Sequence, residues 1–385
     1  MTTGEILAHL VAFDTISARP NRDLIDWVQA LLADAGIPSQ VIPDATGHKA
    51  NLYATVGQGP GVLLSGHTDV VPVEGQAWTH PPFALTEADG RYYGRGVCDM
   101  KGFVACALTA VLQAARMEQA GQPLRTALHL ALSYDEEVGC IGVSSLIDML
   151  AAAPFRPLIC IVGEPTLMQV ATGHKGKIGL RARFTGREGH SALAPMALNA
   201  LHLAVDFVGE VRALQERIAA TGRRDGDYDV PYTTLHVGRI AGGGPLNIVP
   251  NLCEVDYEVR NLAGDDPEAL MAELAAAANR IVAATGAPEA SVSFTDLMRY
   301  PGLGTPPDAG VVRFVQSLTG ANGTMKVAFG TEGGLFSARL GVPTVICGPG
   351  SMAQGHKPDE WVSLEQMARC EAMLAALLAR LLAGI

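Results

Sequence analysis

The stretch Leu63-Leu64-Ser65-Gly66-His67-Thr68-Asp69-Val70-Val71 runs from apolar residues through a small-residue turn to a histidine and an aspartate two positions apart. This pattern predicts a buried strand that delivers polar groups at its carboxyl end, where open α/β sheets place their ligand sites. Residues i and i+2 of an extended chain point to the same side, so the Asp69 carboxylate can reach the His67 imidazole. A carboxylate on one ring nitrogen makes the other nitrogen a better metal donor. A simple strand cap is the alternative interpretation of this pair.

The composition is that of an ordinary globular protein. The chain has 385 residues, 48% of them hydrophobic, which is enough for two domains with sizeable cores. Its 28 basic and 39 acidic residues give a net charge of −11, and no run of lysine or arginine forms a patch for nucleic acid or an anionic membrane. No stretch is long and apolar enough to span a bilayer, and no secretory signal pattern is visible, so we expect a cytoplasmic protein.

The seven cysteines are odd in number, scattered and never arranged as C-x-x-C. This distribution argues against a disulfide framework and against a thiolate zinc site, and it predicts free thiols. Any bound metal must therefore be held by nitrogen and oxygen atoms, from the ten histidines and the carboxylates.

Acidic residues follow two further predicted strands. The apolar run 126–133 leads into Asp135-Glu136-Glu137, and the run 158–163 ends at Glu164. Neighbouring carboxylates raise one another's pKa unless a positive charge such as a metal ion lies among them. A solvated acidic loop is the alternative for the first segment. Adjacent residues at a strand end can point different ways, so Glu136 and Glu137 could divide the roles of ligand and general base.

Two glycine-flanked loops carry further candidates. Asp99 lies just before a predicted apolar helix at 103–117, where an N-cap carboxylate would be unremarkable. His356 lies in a glycine-rich loop after a predicted strand at 344–347. Two histidines and four carboxylates at such positions suit one or two divalent ions, zinc first, with cobalt or manganese as substitutes. One carboxylate can bridge two ions about 3.5–4 Å apart, which is a recurring hydrolytic arrangement.

The sequence pattern changes near residue 174. A strand, a helix, two strands and a helix follow one another, which predicts an inserted α+β domain with helices on one face of an antiparallel sheet. The last hundred or so residues return to α/β alternation. We predict an α/β protein whose larger domain, residues 1–174 and 288–385, has a mixed central sheet flanked by helices and is interrupted by the smaller domain at 175–287.

These motifs resemble those of the dizinc metallopeptidases and deacylases of the M20 family. The matching segments are S-G-H-T-D-V-V-P at 65–72, G-R-G-V-C-D-M-K-G at 94–102, D-E-E-V-G at 135–139, G-E-P-T at 163–166, G-H-S-A at 189–192 and the C-terminal histidine loop. The resemblance covers nearly the whole chain, in order and with the family's spacing. It implies a zinc-exopeptidase-like catalytic domain and identifies the insertion as a lid and dimerisation domain that makes the protein a homodimer.

The resemblance also implies a ligand set for two zinc ions per subunit, for which cobalt can substitute. His67 and Glu164 would bind one ion, and His356 and Glu137 would bind the other. Asp99 would bridge the two ions.

Catalytic and substrate-binding roles follow from the same resemblance. Asp69 would orient the first histidine ligand, and Glu136 would be the general base. His190 would reach across the dimer to help to stabilise an oxyanion, while Asn247 and Arg260 would hold the carboxylate of the substrate. Closure of the inserted domain would exclude water from the reaction. From the residues alone, His190 could instead cap the following helix, and Arg260 could be a surface charge.

Within the family, F-G-T-E-G-G at 329–334 and the loop at 348–361 are most similar to the enzymes that hydrolyse N2-acetyl-L-ornithine to L-ornithine and acetate in arginine biosynthesis. A hydroxide between the two ions would attack the acetyl carbonyl, and Glu136 would carry the proton to the leaving amine. We hypothesise that Glu332 pairs with the cationic side-chain amine of this substrate.

Two alternatives stay open. The first is another deacylase of the family, such as a succinyl-diaminopimelate desuccinylase, an acetylcitrulline deacetylase or an aminoacylase. The second is a protein without catalytic activity that binds metal or an amino acid on the same scaffold.

Overall fold

The computed structural model describes every residue from Met1 to Ile385 and divides the chain into two units. The larger unit comprises Met1–Gly173, Leu303–Val327 and Thr331–Ile385, and the smaller unit comprises His174–Gly302 and Ala328–Gly330. The sequence places the second domain boundary after residue 287, whereas the smaller unit continues to residue 302. The difference is one strand, residues 291–300, which pairs within the sheet of the smaller unit.

The helices are α1 (Thr3–Ala12), α2 (Arg22–Asp34), α3 (Lys101–Gln119), α4 (Val143–Ala152), α5 (Ala200–Thr221), α6 (Pro267–Ala284), α7 (Gly310–Thr319), α8 (Gly333–Leu340) and α9 (Leu364–Ala383). The strands are β1 (Ser39–Pro43), β2 (Ala50–Val56), β3 (Gly61–His67), β4 (Thr86–Ala88), β5 (Arg91–Tyr93), β6 (Ala127–Ser133), β7 (Ile159–Pro165), β8 (Val170–His174), β9 (Gly176–Thr185), β10 (Gly189–His190), β11 (Thr234–Gly242), β12 (Ile248–Val249), β13 (Leu252–Asn261), β14 (Ser291–Tyr300), β15 (Leu303–Gly304), β16 (Thr324–Val327), β17 (Thr344–Gly348) and β18 (Trp361–Ser363). None of the helices combines the length and the apolar character that crossing a bilayer requires.

The central sheet of the larger unit is mixed, as predicted. Its strand order is β1-β2-β6-β3-β7-β17-β8-β15, with β16 paired to β8. The four strands β6, β3, β7 and β17 run parallel to one another, while β2 and β8 pair antiparallel at the two sides of this block. Strands β3, β6 and β17 are buried along their whole length, which explains their apolar sequences. Their carboxyl ends therefore meet at one edge of the sheet.

Helix α3 packs closely on this sheet because the facing strands carry glycine. A Cβ atom added to Gly163 of β7 would lie 1.9 Å from the ring of Phe103, and one added to Gly66 of β3 would lie 2.9 Å from Val104. Side chains at these two positions would push the helix away from the strand ends. The glycines therefore allow the start of α3, and the loop before it, to lie close to the edge where the strands end.

The smaller unit is an α+β structure, also as predicted. Its four-stranded sheet has the order β11-β13-β9-β14 and is antiparallel throughout. Buried and half-buried residues alternate along β13, so one face of the sheet forms a core with α5 and α6 around Phe184, Phe207 and Tyr257. Helix α5 begins at residue 200 because the Asn199 side chain caps it by accepting a hydrogen bond from the amide of Leu201.

Candidate metal centre

The predicted ligands lie at the carboxyl ends of the four parallel strands. His67 is the last residue of β3, and Glu164 is the next-to-last residue of β7. Glu136 and Glu137 follow β6, and His356 lies in the loop after β17. Strand register sets His67 opposite Ser133, the last residue of β6. The parallel topology thus gathers residues that are far apart in sequence.

Asp99 lies between the two histidines. Its Oδ1 atom is 3.1 Å from Nε2 of His67, and its Oδ2 atom is 3.0 Å from Nε2 of His356. The Asp99 side chain is 6% exposed, and the peptide bond to Met100 is cis. Each carboxylate oxygen therefore faces a different imidazole, which is the arrangement that a carboxylate shared by two cations requires.

The remaining donors complete two groups. Glu164 Oε1 lies 3.6 Å from His67 Nε2, and Glu137 Oε2 lies 3.1 Å from His356 Nε2. Ligand atoms bound tetrahedrally to zinc at 2.0–2.1 Å are separated by about 3.3 Å, so these spacings fit a shared cation in each group. The second carboxylate oxygen of Glu137 is buried without a hydrogen-bond partner, which a cation would supply. The residues present fit a pair of divalent cations.

The electrostatics of the cluster favour added positive charge. Burial raises the pKa of Glu137 to about 7, and the charge of Asp99 adds to this shift while His356 opposes it. Burial also raises the pKa of Glu164 well above the usual range. Hydrogen bonds to Asp99 and Glu137 raise the pKa of His356 to about 10. The buried carboxylates therefore favour positive charge at this site, and bound cations would supply it.

The sequence predicts that the Asp69 carboxylate contacts His67, whereas in the structure the nearer group is the Asp69 backbone. The Nδ1 atom of His67 is 2.9 Å from the backbone carbonyl oxygen of Asp69 but 3.6 Å from its carboxylate. The carboxylate accepts hydrogen bonds from the Ser17 hydroxyl at 2.6 Å and from the amides of Glu136 and Glu137 at 3.0 and 3.3 Å. Strand β3 ends at His67, so the alternation of an extended chain no longer applies at Asp69. The residue holds His67 through its backbone, and its carboxylate fixes the backbone of both glutamates.

Glu136 and Glu137 lie near different donors of the cluster. Whereas Glu137 faces His356, a carboxylate oxygen of Glu136 lies within 4.8 Å of the metal-binding atoms of His67 and Glu164. The Cys140 thiol, which the sequence analysis did not single out, donates to Glu136 Oε1 at 3.2 Å. Burial raises the pKa of Glu136 well above the usual range, opposed by the charge of His67 and reinforced by that of Glu137. A carboxylate with a raised pKa beside the ligands suits proton transfer.

Glu332 is buried next to β3 and β6, with a residue exposure of 1%. Its Oε2 atom accepts a hydrogen bond from the Ser65 hydroxyl at 3.3 Å. Burial raises the pKa of Glu332 to about 7, although the hydroxyls of Ser133 and Ser65 and the charge of His67 lower it. The Glu332 carboxylate is therefore closed to ligands in this structure, so the direct contact with a substrate amine that we hypothesised requires its neighbours to part.

His190 and Asn247 lie close together in the smaller unit. The strands β10 and β12 pair His190 with Ile248, and the amide of Ser191 donates to the carbonyl oxygen of Asn247 at 2.9 Å. The Nδ1 atom of His190 accepts a hydrogen bond from the amide of Ala192 at 3.1 Å, so this histidine does cap the short helix that follows. Both His190 and Asn247 are exposed.

Arg260 lies on β13 of the same unit and already has partners. It donates to Glu258 at 3.0 Å and to the Tyr300 hydroxyl at 2.8 Å. The side chain of Arg260 is 30% exposed. A ligand carboxylate would therefore share this guanidinium with Glu258.

Other candidates near the motifs do not belong to the cluster. His129 is fully buried within β6, its Nδ1 atom is 2.8 Å from the Tyr53 hydroxyl, and burial lowers its pKa to about 4. The Cys98 thiol donates to the carbonyl oxygen of Ser351 at 3.3 Å, so it does not act as a ligand next to Asp99. All seven cysteines are buried and free.

Comparison with known proteins agrees with this geometry. Residues 63–380 match the model of peptidase family M20/M25/M40. An acetylornithine deacetylase from Myxococcus xanthus is 38% identical over 388 aligned positions, which cover 98% of this chain and 97% of that protein.

Solved structures show the same fold at low identity. A tripeptidase from Staphylococcus aureus superposes with a TM-score of 0.75 at 17% identity, covering 99% of this chain and 98% of that one. An M20 family metallo-carboxypeptidase from Sulfolobus solfataricus gives a TM-score of 0.74 at 18% identity, covering 99% of both chains. A dinuclear metal-binding M20 peptidase from Bacillus subtilis gives 0.71 at 13% identity, covering 100% of this chain and 98% of that one.

The matched region contains every candidate ligand, from His67 to His356. The family model covers most of the chain, and the relative is similar along almost its whole length. The chain is therefore a metal-dependent amidohydrolase that belongs to peptidase family M20/M25/M40.

Proposed function

We propose that this protein hydrolyses N2-acetyl-L-ornithine to L-ornithine and acetate, a reaction that belongs to arginine biosynthesis. The observation that carries amide hydrolysis is the position of Asp99, whose two oxygens face His67 and His356 separately. The similarity to the Myxococcus xanthus acetylornithine deacetylase supports the choice of substrate.

The side chains of the centre divide the chemistry among them. Two divalent cations in this ligand set, zinc first and cobalt as a substitute, would polarise a bound carbonyl and lower the pKa of water. Glu136 takes a proton from the attacking water and passes it to the leaving amine, for which its raised pKa is suited. Asp69 holds Glu136 in place through the backbone amide of that glutamate.

His190, Asn247 and Arg260 keep the roles that the family resemblance implies. His190 would donate to the oxyanion, and the other two residues would hold the carboxylate of the substrate. The proximity of His190 to Asn247 supports a common role for their loops.

Dimerisation through residues 175–287 also stays a prediction. This segment exposes large apolar side chains, among them Met196 at 71%, Val205 at 60% and Leu246 at 98%. Large apolar side chains that are this exposed are typical of a surface that is covered in an assembly. Sedimentation velocity of the purified protein should give the mass of two chains, and a single-chain mass at micromolar concentration would rule out this proposal.

Glu332 is our candidate for recognising the cationic end of ornithine. Its Oε1 atom is buried without a hydrogen-bond partner, and an unpaired buried oxygen is costly unless a donor reaches it. An ammonium group would supply that donor and compensate the charge. Another N-acyl-amino-acid deacylase is the second candidate function, because a glutamate that stays buried would not contact a cationic substrate side chain.

A panel of four substrates tests both proposals: acetylornithine, acetylcitrulline, acetylmethionine and succinyl-diaminopimelate. We expect the wild-type enzyme to show the highest kcat/KM on acetylornithine. In Glu332→Gln, the preference for acetylornithine over acetylmethionine should fall by about tenfold or more, since a charge pair is lost. The neutral acetylcitrulline serves as the matched control and should be little affected. A higher rate on another substrate would identify a sister deacylase, and an unchanged preference in Glu332→Gln would remove Glu332 from recognition.

A further inference from the structure

A buried ion pair lies beside the candidate metal centre. Arg95 Nη1 is 2.6 Å from Glu360 Oε2, and the side chain of each residue is 1% exposed. Burying such a pair costs desolvation free energy that its own attraction often does not recover. The other hydrogen bonds of the two side chains therefore indicate why this pair is buried.

The Glu360 carboxylate accepts three backbone amides from the segment that carries Asp99. Its Oε1 atom accepts from the amides of Cys98 at 2.9 Å and Asp99 at 3.0 Å, and its Oε2 atom accepts from the amide of Gly96 at 3.1 Å. Hydrogen bonds to an ionised acceptor are stronger than neutral ones. Glu360 thus fixes the backbone of the residue that lies between the two histidines.

Arg95 is connected to His356 through the side chain of Gln76. Its Nη2 atom donates to Gln76 Oε1 at 2.6 Å, and Gln76 Nε2 donates to the carbonyl oxygen of His356 at 3.1 Å. The indole of Trp78 also donates to Gln76 Oε1, at 3.0 Å, and its ring lies 4.9 Å from the guanidinium. His356 has φ +61°, a left-handed conformation that a residue with a side chain adopts only with support from its surroundings.

We propose that Glu360, Arg95 and Gln76 form a positioning network that fixes Asp99 and His356 relative to each other. Glu360 sets the backbone of Asp99, the donor shared by both cations. Gln76 sets the backbone of His356, a donor to the second cation alone. The Glu360 end of the network would thereby support binding of both cations, and the Gln76 end would support binding of the second cation alone. This inference rests on the proposed two-cation function but not on the identity of the substrate.

Cobalt titration of the metal-free protein tests the network, followed by calorimetry and by the visible absorbance of bound Co²⁺. In Gln76→Ala, the second Co²⁺ should bind about 10- to 100-fold more weakly, as expected for loss of a residue that orients a ligand. The affinity for the first Co²⁺ should change by less than about threefold, which is well below the 10- to 100-fold effect of losing a residue that orients a ligand. In Glu360→Gln, both ions should bind more weakly, because Asp99 serves both.

Asp359→Asn is the matched control, since it neutralises the adjacent carboxylate. The Asp359 side chain accepts hydrogen bonds from the Thr79 hydroxyl and from the amides of Thr79 and His80, and it makes no hydrogen bond to Asp99 or His356. It should leave both cobalt affinities unchanged.

The outcomes separate the network from the metal centre. Wild-type affinities in both Gln76→Ala and Glu360→Gln, or equal weakening of both ions in Gln76→Ala, would overturn the network. If Glu360→Gln fails to fold, Gln76→Ala decides alone, because Gln76 lies at the partly exposed end of the contacts. A wild-type protein that binds fewer than two Co²⁺ would instead refute the two-cation centre, and failure to hydrolyse acetylornithine would bear on the substrate only.

Discussion

Replacing Glu136 with alanine is expected to lower kcat by about 10²- to 10⁴-fold, the usual contribution of a general base, while two divalent cations stay bound per chain. The reason is the position of this carboxylate. Its near partner is the Cys140 thiol, whereas Glu137 and not Glu136 lies 3.1 Å from the His356 imidazole. Loss of Glu136 should therefore remove a proton acceptor without removing a ligand.

Metal content by plasma mass spectrometry, measured with kcat on acetylornithine, checks this expectation. Glu137→Ala is the matched comparison, since it deletes the adjacent carboxylate and should release the cation nearest His356. If Glu136→Ala loses a cation and Glu137→Ala keeps both, the roles of the two glutamates are reversed. Glu136 is close enough for the reversed result to occur, because one of its carboxylate oxygens lies within 4.8 Å of the metal-binding atoms of His67 and Glu164.

Replacing Asp99 with alanine should abolish binding of two cations and lower kcat/KM by about 10³-fold or more. A metal pair supplies several kcal/mol of transition-state stabilisation, and each 1.36 kcal/mol is a factor of ten in rate. Both oxygens of Asp99 face an imidazole, so this single substitution damages both groups of donors. The exposed Asp34→Ala at the end of α2 is the control and should retain metal and activity. Full cation content in Asp99→Ala would show that Asp99 is not shared.

Local signals in the sequence were sufficient for most elements of the fold. Helices α1 and α6 begin where the sequence marks a helix start with capping side chains, Thr2 with Glu5 in a capping box and Asp266 before Pro267. The buried parallel strands were visible as apolar runs followed by polar residues. Because these strands end at one edge, the expectation that His67 and Glu164 lie close together follows from topology alone.

Features that depend on contacts between distant segments were not predictable in this way. The β14 strand has a mostly exposed face, and only its pairing with β9 assigns it to the smaller unit. The atom of Asp69 that contacts His67 depends on where β3 ends. Arg95 and Glu360 are 265 positions apart, and neither has a local pattern that reveals their burial.

The sharing of Asp99 by two cations is tested most directly by anomalous X-ray diffraction at the zinc absorption edge, from crystals of the zinc-loaded protein. We predict two zinc peaks per chain about 3.5–4 Å apart, one beside His67 and Glu164 and the other beside His356 and Glu137, with one Asp99 oxygen directed at each. A single peak, or two peaks with Asp99 bound to only one of them, would contradict the account.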